Sequence, residues 1–213
     1  MSKIFQFIGT HIMVIAFLFS VITYKKYRHT PMKILPIYLG LDTFVETFCF
    51  YYYRSGNVWL FNILTQIQVN FYLIILIQYL KGIQYKIVYY LLIFFNIFYV
   101  LSLVLGLNKF FEETASYGYV TGMLILLFVL VLMFRQMLEY ENINQLTRNL
   151  LFWFCFSLLV FYATSLPLFS ISNWGNVLGE FRINVYYMLF FAVILSQLSL
   201  IIGFLWSKKK YTY

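Results

Sequence analysis

Long apolar stretches alternate with short polar segments along this chain. Seven of the stretches are long enough to cross a hydrocarbon core of about 30 Å as helices. The pattern predicts an all-α fold, a polytopic membrane protein built as a bundle of seven transmembrane helices, with residues 1–213 in a single domain. Because the connections are short, helices adjacent in sequence are expected to pack antiparallel. The predicted helices are Ile4–Tyr24, Ile34–Tyr53, Val58–Leu80, Ile87–Leu107, Tyr117–Phe134, Leu150–Phe169 and Ile183–Trp206.

The composition supports the membrane assignment. Apolar residues make up 63% of the 213 residues and charged residues only 10%, whereas soluble domains carry about 25% charged residues. The lipid bilayer is therefore the predicted partner of the excess apolar surface. A net charge of +8 would suggest nucleic acid in a soluble protein. Here the charges lie between the apolar stretches, so we expect no nucleic-acid partner.

Lysine and arginine are distributed unevenly between the two sides of the predicted bundle. Eleven of the fifteen fall on the side that holds the connection between the first two helices. The positive-inside rule then places the N-terminus outside and the C-terminus inside. The first stretch lacks a small-x-small cleavage site, so we expect it to remain as a helix. We expect a multi-pass protein of a cell membrane, of the bacterial cytoplasmic type.

Two acidic side chains interrupt the second apolar stretch. Of the seven acidic residues, only Asp42 and Glu46 lie within a predicted helix. Their spacing of four residues puts both on one helix face. A charge inside a bilayer costs roughly 2.5–3.5 kcal/mol on insertion scales. Neighbouring carboxylates also repel each other, so we expect at least one of the pair to hold a proton at neutral pH.

The third helix carries a polar stripe formed by Asn62, Gln66 and Asn70. In an antiparallel hairpin of the second and third helices, Asp42 lies level with Asn70, and Glu46 lies level with Gln66. The sequence therefore predicts a polar layer in which amides face carboxylates. The alternative is that the amides join helices by hydrogen bonds, as they commonly do in membranes.

The first helix adds the only histidine within any predicted span. The turn after this helix centres near residue 28 or 29, which places His11 level with Glu46. Histidine beside a carboxylate is a possible pH-sensitive element. The predicted ligand-binding, ion-binding or proton-linked site therefore comprises Asp42, Glu46, His11, Gln66, Asn70 and Asn62.

Three further features carry weaker predictions. Gly118 and Gly122 form a GxxxG spacing, which can mark close helix contact. Pro167 removes a backbone hydrogen bond and predicts a bend in the sixth helix. The polar stretch Arg135–Asn149 is expected to be the longest inner loop and a solvated connector.

Several kinds of chemistry lack their sequence motifs. The chain has no HExxH, GxSxG, Walker or GxGxxG motif. Its two cysteines, Cys49 and Cys155, lie inside apolar stretches and form no CxxC pair. A retinal protein needs a lysine in the last helix, and Ile183–Trp206 contains none. We therefore expect no metal, no cofactor and no catalytic residues, and an enzyme is disfavoured.

Three classes of function remain. The buried acids favour a small transporter or channel for protons, cations or a small polar solute. The alternative is a non-catalytic membrane sensor or an accessory subunit of a larger membrane complex, with a membrane protein partner or a homo-oligomer. The third class is a lipid-active membrane enzyme that uses the carboxylates and His11 as acid and base.

Overall fold

The protein is all-helical throughout the residues described by the computed structural model, which are 2–51, 58–106, 116–140, 146–172 and 181–208. Two short 3₁₀ turns, Tyr24–Lys26 and Pro31–Ile34, connect the first two helices. The helices in this part of the chain are α1 (Ser2–Ile22), α2 (Leu35–Tyr51), α3 (Val58–Ile77), α4 (Gly82–Val104), α5 (Ser116–Tyr140), α6 (Leu150–Ser172) and α7 (Phe181–Trp206).

Five of these helices, α3 to α7, are long and apolar enough to cross a membrane. Helix α1 contributes a shorter apolar segment, Phe7–Ile22. Helix α2 has 17 residues, a length of about 25 Å, and it carries both carboxylates. The fold therefore supports a helical membrane bundle, while seven spans and their orientation remain predictions.

The helices form a ring with one helix outside it. Helix α1 packs against α2 and α7, α7 packs against α6, and α6 packs against α5. Contacts of α3 with α5 and with α2 close the ring. Helix α4 packs on the outside, against α3 and α5. Its buried residues in the described structure are Val88, Phe95, Tyr99 and Ser102, so most of its surface faces outward.

Two helices extend beyond their predicted apolar stretches by more than one turn. Helix α4 begins at Gly82 rather than at Ile87. Gly82 has a φ of 59° and makes the turn that leads into the helix. Helix α5 continues to Tyr140, and its last turns contain an ion pair of 2.9 Å between Arg135 Nε and Glu139 Oε1. The predicted inner loop was therefore wrong in its first six residues. An apolar stretch marks only the part of a helix that lies in the hydrocarbon core, and the helix can continue into the polar interface.

Side chains tie together the end of the bundle that holds the α1–α2 connection, which we call the basic end (residues 23–34, 78–81 and 203–208). Lys26 Nζ donates to the Phe204 carbonyl oxygen at 2.9 Å and to the Leu205 carbonyl oxygen at 3.2 Å. The Tyr27 hydroxyl donates to the Ser20 carbonyl. These bonds satisfy carbonyl groups that helix C-termini leave without partners.

The two glycines of the GxxxG spacing lie where α5 meets α3 and α4. A Cβ atom on Gly122 would lie 2.9 Å from the Val69 side chain and 3.0 Å from the Phe95 ring. A Cβ atom on Gly118 would clash with the Tyr99 ring. This spacing therefore marks close helix contact, and it lets α5 approach two neighbours at once.

Candidate acid–tyrosine site

Helix α2 places its carboxylates inside the bundle. Asp42 is 8% exposed, and Glu46, one turn further along, is half-buried. Tyr38, one turn in the other direction, is 2% exposed. The spacing of four residues puts all three on one helix face. Next to Asp42, the Thr43 hydroxyl donates to the Met13 carbonyl oxygen at 3.5 Å, which places α1 beside this part of α2.

Helices α2 and α3 meet at the depth that the sequence predicts. The Tyr38 ring lies 4.6 Å from the Phe71 ring and 5.0 Å from the Tyr72 ring, measured between centroids. Nearer the other end of α2, Val45 packs in one cluster with Leu64. Helices α2 and α3 therefore run in opposite directions. The predicted antiparallel hairpin is correct, and its register is displaced by less than one turn.

Four buried tyrosines interact electrostatically with the acidic pair, and the Tyr72 ring lies 5.0 Å from the Tyr38 ring and 6.3 Å from the Tyr162 ring. Asp42 interacts electrostatically with Tyr38 of α2 and with tyrosines of three other helices. Tyr119 also interacts with Glu46. All four tyrosines are at most 7% exposed, so the group lies in the interior of the ring. We call it the acid–tyrosine cluster, and its members are Asp42, Glu46, Tyr38, Tyr72, Tyr119 and Tyr162.

The cluster contains polar groups without protein partners. The buried hydroxyls of Tyr38 and Tyr162 have no hydrogen-bond partner among the described residues. The Tyr38 hydroxyl lies near the Tyr72 hydroxyl but does not reach hydrogen-bond geometry with it. The Tyr72 hydroxyl accepts from Gln68 Nε2 at 3.3 Å.

Neither carboxylate of α2 accepts a hydrogen bond or joins an ion pair within the described structure. This is unusual, because buried polar groups in proteins are nearly always hydrogen-bonded. Among the described residues, the two carboxylates of α2 and the hydroxyls of Tyr38 and Tyr162 therefore make no hydrogen bond to the protein.

His11 does not join this cluster. Its Nδ1 atom lies 2.6 Å from the Phe7 carbonyl oxygen, within the same helix. Its ring packs 3.8 Å from the Phe7 ring and is exposed. The expected meeting of His11 with Glu46 is therefore wrong. Helix α1 faces α2 through Phe17, which lies against Gly40, and His11 occupies another side of the helix.

The amides of α3 face α4 rather than α2. Gln66 Nε2 donates to Asn96 Oδ1 at 2.8 Å, and Asn96 Nδ2 donates to Asn70 Oδ1 at 2.7 Å. The backbone carbonyl of buried Asn62 accepts from the Tyr99 hydroxyl of α4 at 3.0 Å. The predicted amide–carboxylate layer is therefore wrong in direction. The side chains joined by these hydrogen bonds, Gln66, Asn70 and Asn96, form an amide triad between α3 and α4.

The tyrosines are the part of the site that sequence reasoning missed. Tyr38 had a usable signal, because it precedes Asp42 by four residues and so shares its helix face. The other three come from separate helices, and no spacing within one helix relates them to Asp42. Asn96 stood out only as a single polar residue in an apolar helix.

No group of three or more histidine, cysteine, aspartate or glutamate side chains could hold a metal ion in the described part of the chain. Comparison of the sequence with known protein families, with characterised proteins and with solved structures finds no match.

Proposed function

We propose that this chain is a small membrane transporter or channel that moves protons, cations or a small polar solute, and that Asp42 and Glu46 form its site. One observation carries the proposal. Asp42 is buried inside a helical ring, yet it has no ion pair or hydrogen bond with any described residue. An ionisable group inside a membrane protein is costly, and such groups typically mark ion pathways or binding sites.

The contrast with the amide triad supports this assignment. Gln66, Asn70 and Asn96 bond to one another across α3 and α4, as expected of side chains that join helices. Asp42 and Glu46 make no such bonds with any described residue. A structural role would need interhelical hydrogen bonds to offset the cost of burial. The acids instead keep their bonding capacity for a species that enters the ring.

We further propose seven spans with the N-terminus outside, in a cell membrane. The positive-inside rule supports this orientation, because the basic end carries exposed Lys25, Arg28 and Lys33. Lys208→Cys places a thiol at the exposed C-terminal end of α7. In intact cells this thiol should resist membrane-impermeant reagents and react only after lysis. Reaction in intact cells would reverse the orientation.

Flux measurements test the proposed function. Purified protein in liposomes is given gradients of protons, sodium, potassium or small polar solutes. The wild type should dissipate at least one gradient, and Asp42→Asn and Glu46→Gln should each slow this flux at least about tenfold. Glu139→Gln is the matched control, because Glu139 is an exposed carboxylate paired with Arg135. Equal flux in all variants would remove the acids from the pathway.

An accessory subunit or sensor is the second candidate, and one observation favours it. Helix α4 lies outside the ring and exposes most of its surface, including Tyr90, Phe94 and Ile97, which leaves a broad face for a partner or a second copy. Folded protein without flux under any gradient would favour this candidate. A lipid-active enzyme has less support, because His11 lies away from the carboxylates.

A further inference from the structure

We infer that the protein binds an anionic phospholipid of the surrounding membrane, and that the phosphate group of this lipid contacts Lys25, Arg148 and Lys208. We call these three residues the cation triad. They come from three segments of the chain, which are the α1–α2 connection, the segment before α6 and the segment after α7. This inference concerns a different surface from the acid–tyrosine cluster, and it does not depend on what the protein moves.

Hydrogen bonds bring the three segments of the cation triad together. The backbone N–H of Lys208 donates to the Arg148 carbonyl oxygen at 3.0 Å, so the end of α7 lies against the segment before α6. Lys26, the neighbour of Lys25, donates through Nζ to the Ser207 carbonyl oxygen at 3.4 Å. The α1–α2 connection therefore reaches the same end of α7, and the three cations lie where α1, α6 and α7 meet.

The positive charge of the triad is not compensated by the protein. All three side chains are exposed, and they form no hydrogen bond or ion pair with any described residue. The segments 23–34, 146–149 and 203–208 contain no acidic residue. Lys26 donates to the last carbonyls of α7, so the negative end of that helix dipole is already offset. The junction is therefore a surface that attracts an anion.

Aromatic neighbours place the triad at the level of lipid headgroups. Tyr24, next to Lys25, is 40% exposed, and Trp206, two residues before Lys208, is 62% exposed. Tyrosine and tryptophan are enriched at this level of a membrane, and long basic side chains near helix ends extend towards it. Lipid phosphates lie at the same level, and an arginine such as Arg148 can bind a phosphate through two parallel hydrogen bonds.

The helices next to the triad offer a surface for acyl chains. Helices α1 and α7 pack against each other, and the last turns of each expose apolar side chains. Their spacing of three or four residues puts those of each helix on one face. The exposed residues are Leu18 and Ile22 on α1, and Leu198, Ile202 and Leu205 on α7. A free anion would leave this apolar surface without a partner, so the two features together favour a phospholipid.

A lipid titration tests this inference without any flux. Dioleoyl phosphatidylglycerol, which is anionic, is added to the full chain in a neutral detergent, and bound lipid is measured by native mass spectrometry. It should bind at least about fivefold more tightly than phosphatidylcholine, which has no net charge. Lys25→Gln, Arg148→Gln and Lys208→Gln should each weaken the binding of phosphatidylglycerol about fivefold and leave that of phosphatidylcholine unchanged.

Lys86→Gln is the matched control for these variants. It removes the same charge from an exposed position on α4, which packs against α3 and α5, and it should change the affinity less than about twofold. Unfolding curves in lipid-free detergent should be the same for all four variants, because exposed substitutions have small effects on stability. Any loss of lipid binding then reports the lost contact rather than a change in folding.

Three results would overturn the inference. Equal affinity for the two lipids would show that the charge of the headgroup is not recognised. An equal loss of affinity in Lys86→Gln and Arg148→Gln would show that only the net charge of the protein matters. Displacement of phosphatidylglycerol by inorganic phosphate or by a poly-glutamate peptide at equal concentration would show that the surface binds a free anion or an acidic protein segment instead of a lipid.

Discussion

Single side chains at the basic end stabilise the ends of helices. The last carbonyls of a helix have no partners within it and carry a partial negative charge. Lys26 reaches from the α1–α2 connection to two such carbonyls of α7, at Phe204 and Leu205, and to the carbonyl of Ser207 just beyond the helix. The ammonium group thereby joins segments that are far apart in the sequence.

Replacing Lys26 tests this contribution. Lys26→Met retains the length of the side chain but removes the charge and its hydrogen bonds. We expect the free energy of unfolding in detergent to fall by about 1–2 kcal/mol. Lys25→Met is the matched control, since Lys25 is exposed, and it should change stability by less than about 0.5 kcal/mol. Equal effects of both variants would refute a specific role for Lys26.

Tyr79 makes the basic end sensitive to alkaline pH. It lies in the turn between α3 and α4, and burial raises its pKa to about 12, against an opposing effect of hydrogen bonds with Thr30 and Met32. In the unfolded chain the pKa is about 10. The neutral side chain therefore stabilises the fold fully below pH 10, and this stabilisation, roughly 2–3 kcal/mol, is lost as pH rises through about 12.

Thermal unfolding between pH 9 and pH 12 checks this expectation. The melting temperature of the wild type should fall across this range, and that of Tyr79→Phe should fall less steeply, because phenylalanine cannot ionise. Other buried tyrosines such as Tyr27 will contribute to both curves, so the difference between the curves is the informative quantity. Parallel curves would show that Tyr79 does not cause the alkaline sensitivity.

At the scale of helices, α3 shows which features of the site follow from spacing. One side of α3 meets α2 through Leu64, Phe71 and Tyr72, and the side with Gln66 and Asn70 meets α4. Depth follows from counting residues back from a turn, so the register of α2 and α3 was predictable. The direction in which a polar stripe points depends on which helix packs there, and this depends on the whole bundle.

Helix ends and helix contacts were predictable to different degrees. Apolar stretches located each of the helices α1 to α7, because the hydrocarbon core requires continuous apolar surface. They failed where α5 continues through Arg135 and Glu139 into the polar interface. The GxxxG spacing pointed to close contact of α5, but its partners, Tyr99 of α4 and Val69 of α3, could not be identified from a spacing within one helix.

The contact at Gly122 gives a prediction for α5. Gly122→Ala should destabilise the fold by about 1–3 kcal/mol, because the new methyl group would overlap Val69 and Phe95 and force them to move. Leu124→Ala, at a position 54% exposed on the same helix, is the control and should be nearly neutral in detergent. Unfolding curves in detergent provide the comparison. A neutral or stabilising effect of Gly122→Ala would show that the contact of α5 with Val69 and Phe95 has space for a methyl group.

At the scale of the whole molecule, closure of the ring creates the candidate site. Tyrosines of four helices interact with Asp42, and no spacing within one helix relates those of α3, α5 and α6 to it. The sequence could therefore predict the acidic pair, which stands out in any single helix, but not its surroundings. The prediction that His11 meets Glu46 failed for the same reason. Counting residues gives the depth of a side chain in the bundle but not the direction in which it points.

The ring also separates structural polar groups from candidate functional ones. The side chains of the amide triad join α3 and α4 by hydrogen bonds, although Gln66 Oε1 makes none, and Lys26 donates to carbonyls at the basic end. Within the described residues, the two carboxylates of α2 and the hydroxyls of Tyr38 and Tyr162 make no hydrogen bond. This difference is the basis of the proposal that Asp42 and Glu46 bind the species that the protein moves.

The initial rate at which liposomes dissipate an imposed proton, cation or solute gradient, compared between the wild type and Asp42→Asn, tests the central claim most directly. We expect the wild type to dissipate at least one of these gradients rapidly and the variant to match empty liposomes, with both proteins folded to the same extent. Equal rates in the two proteins, or a wild-type rate no higher than that of empty liposomes, would contradict it.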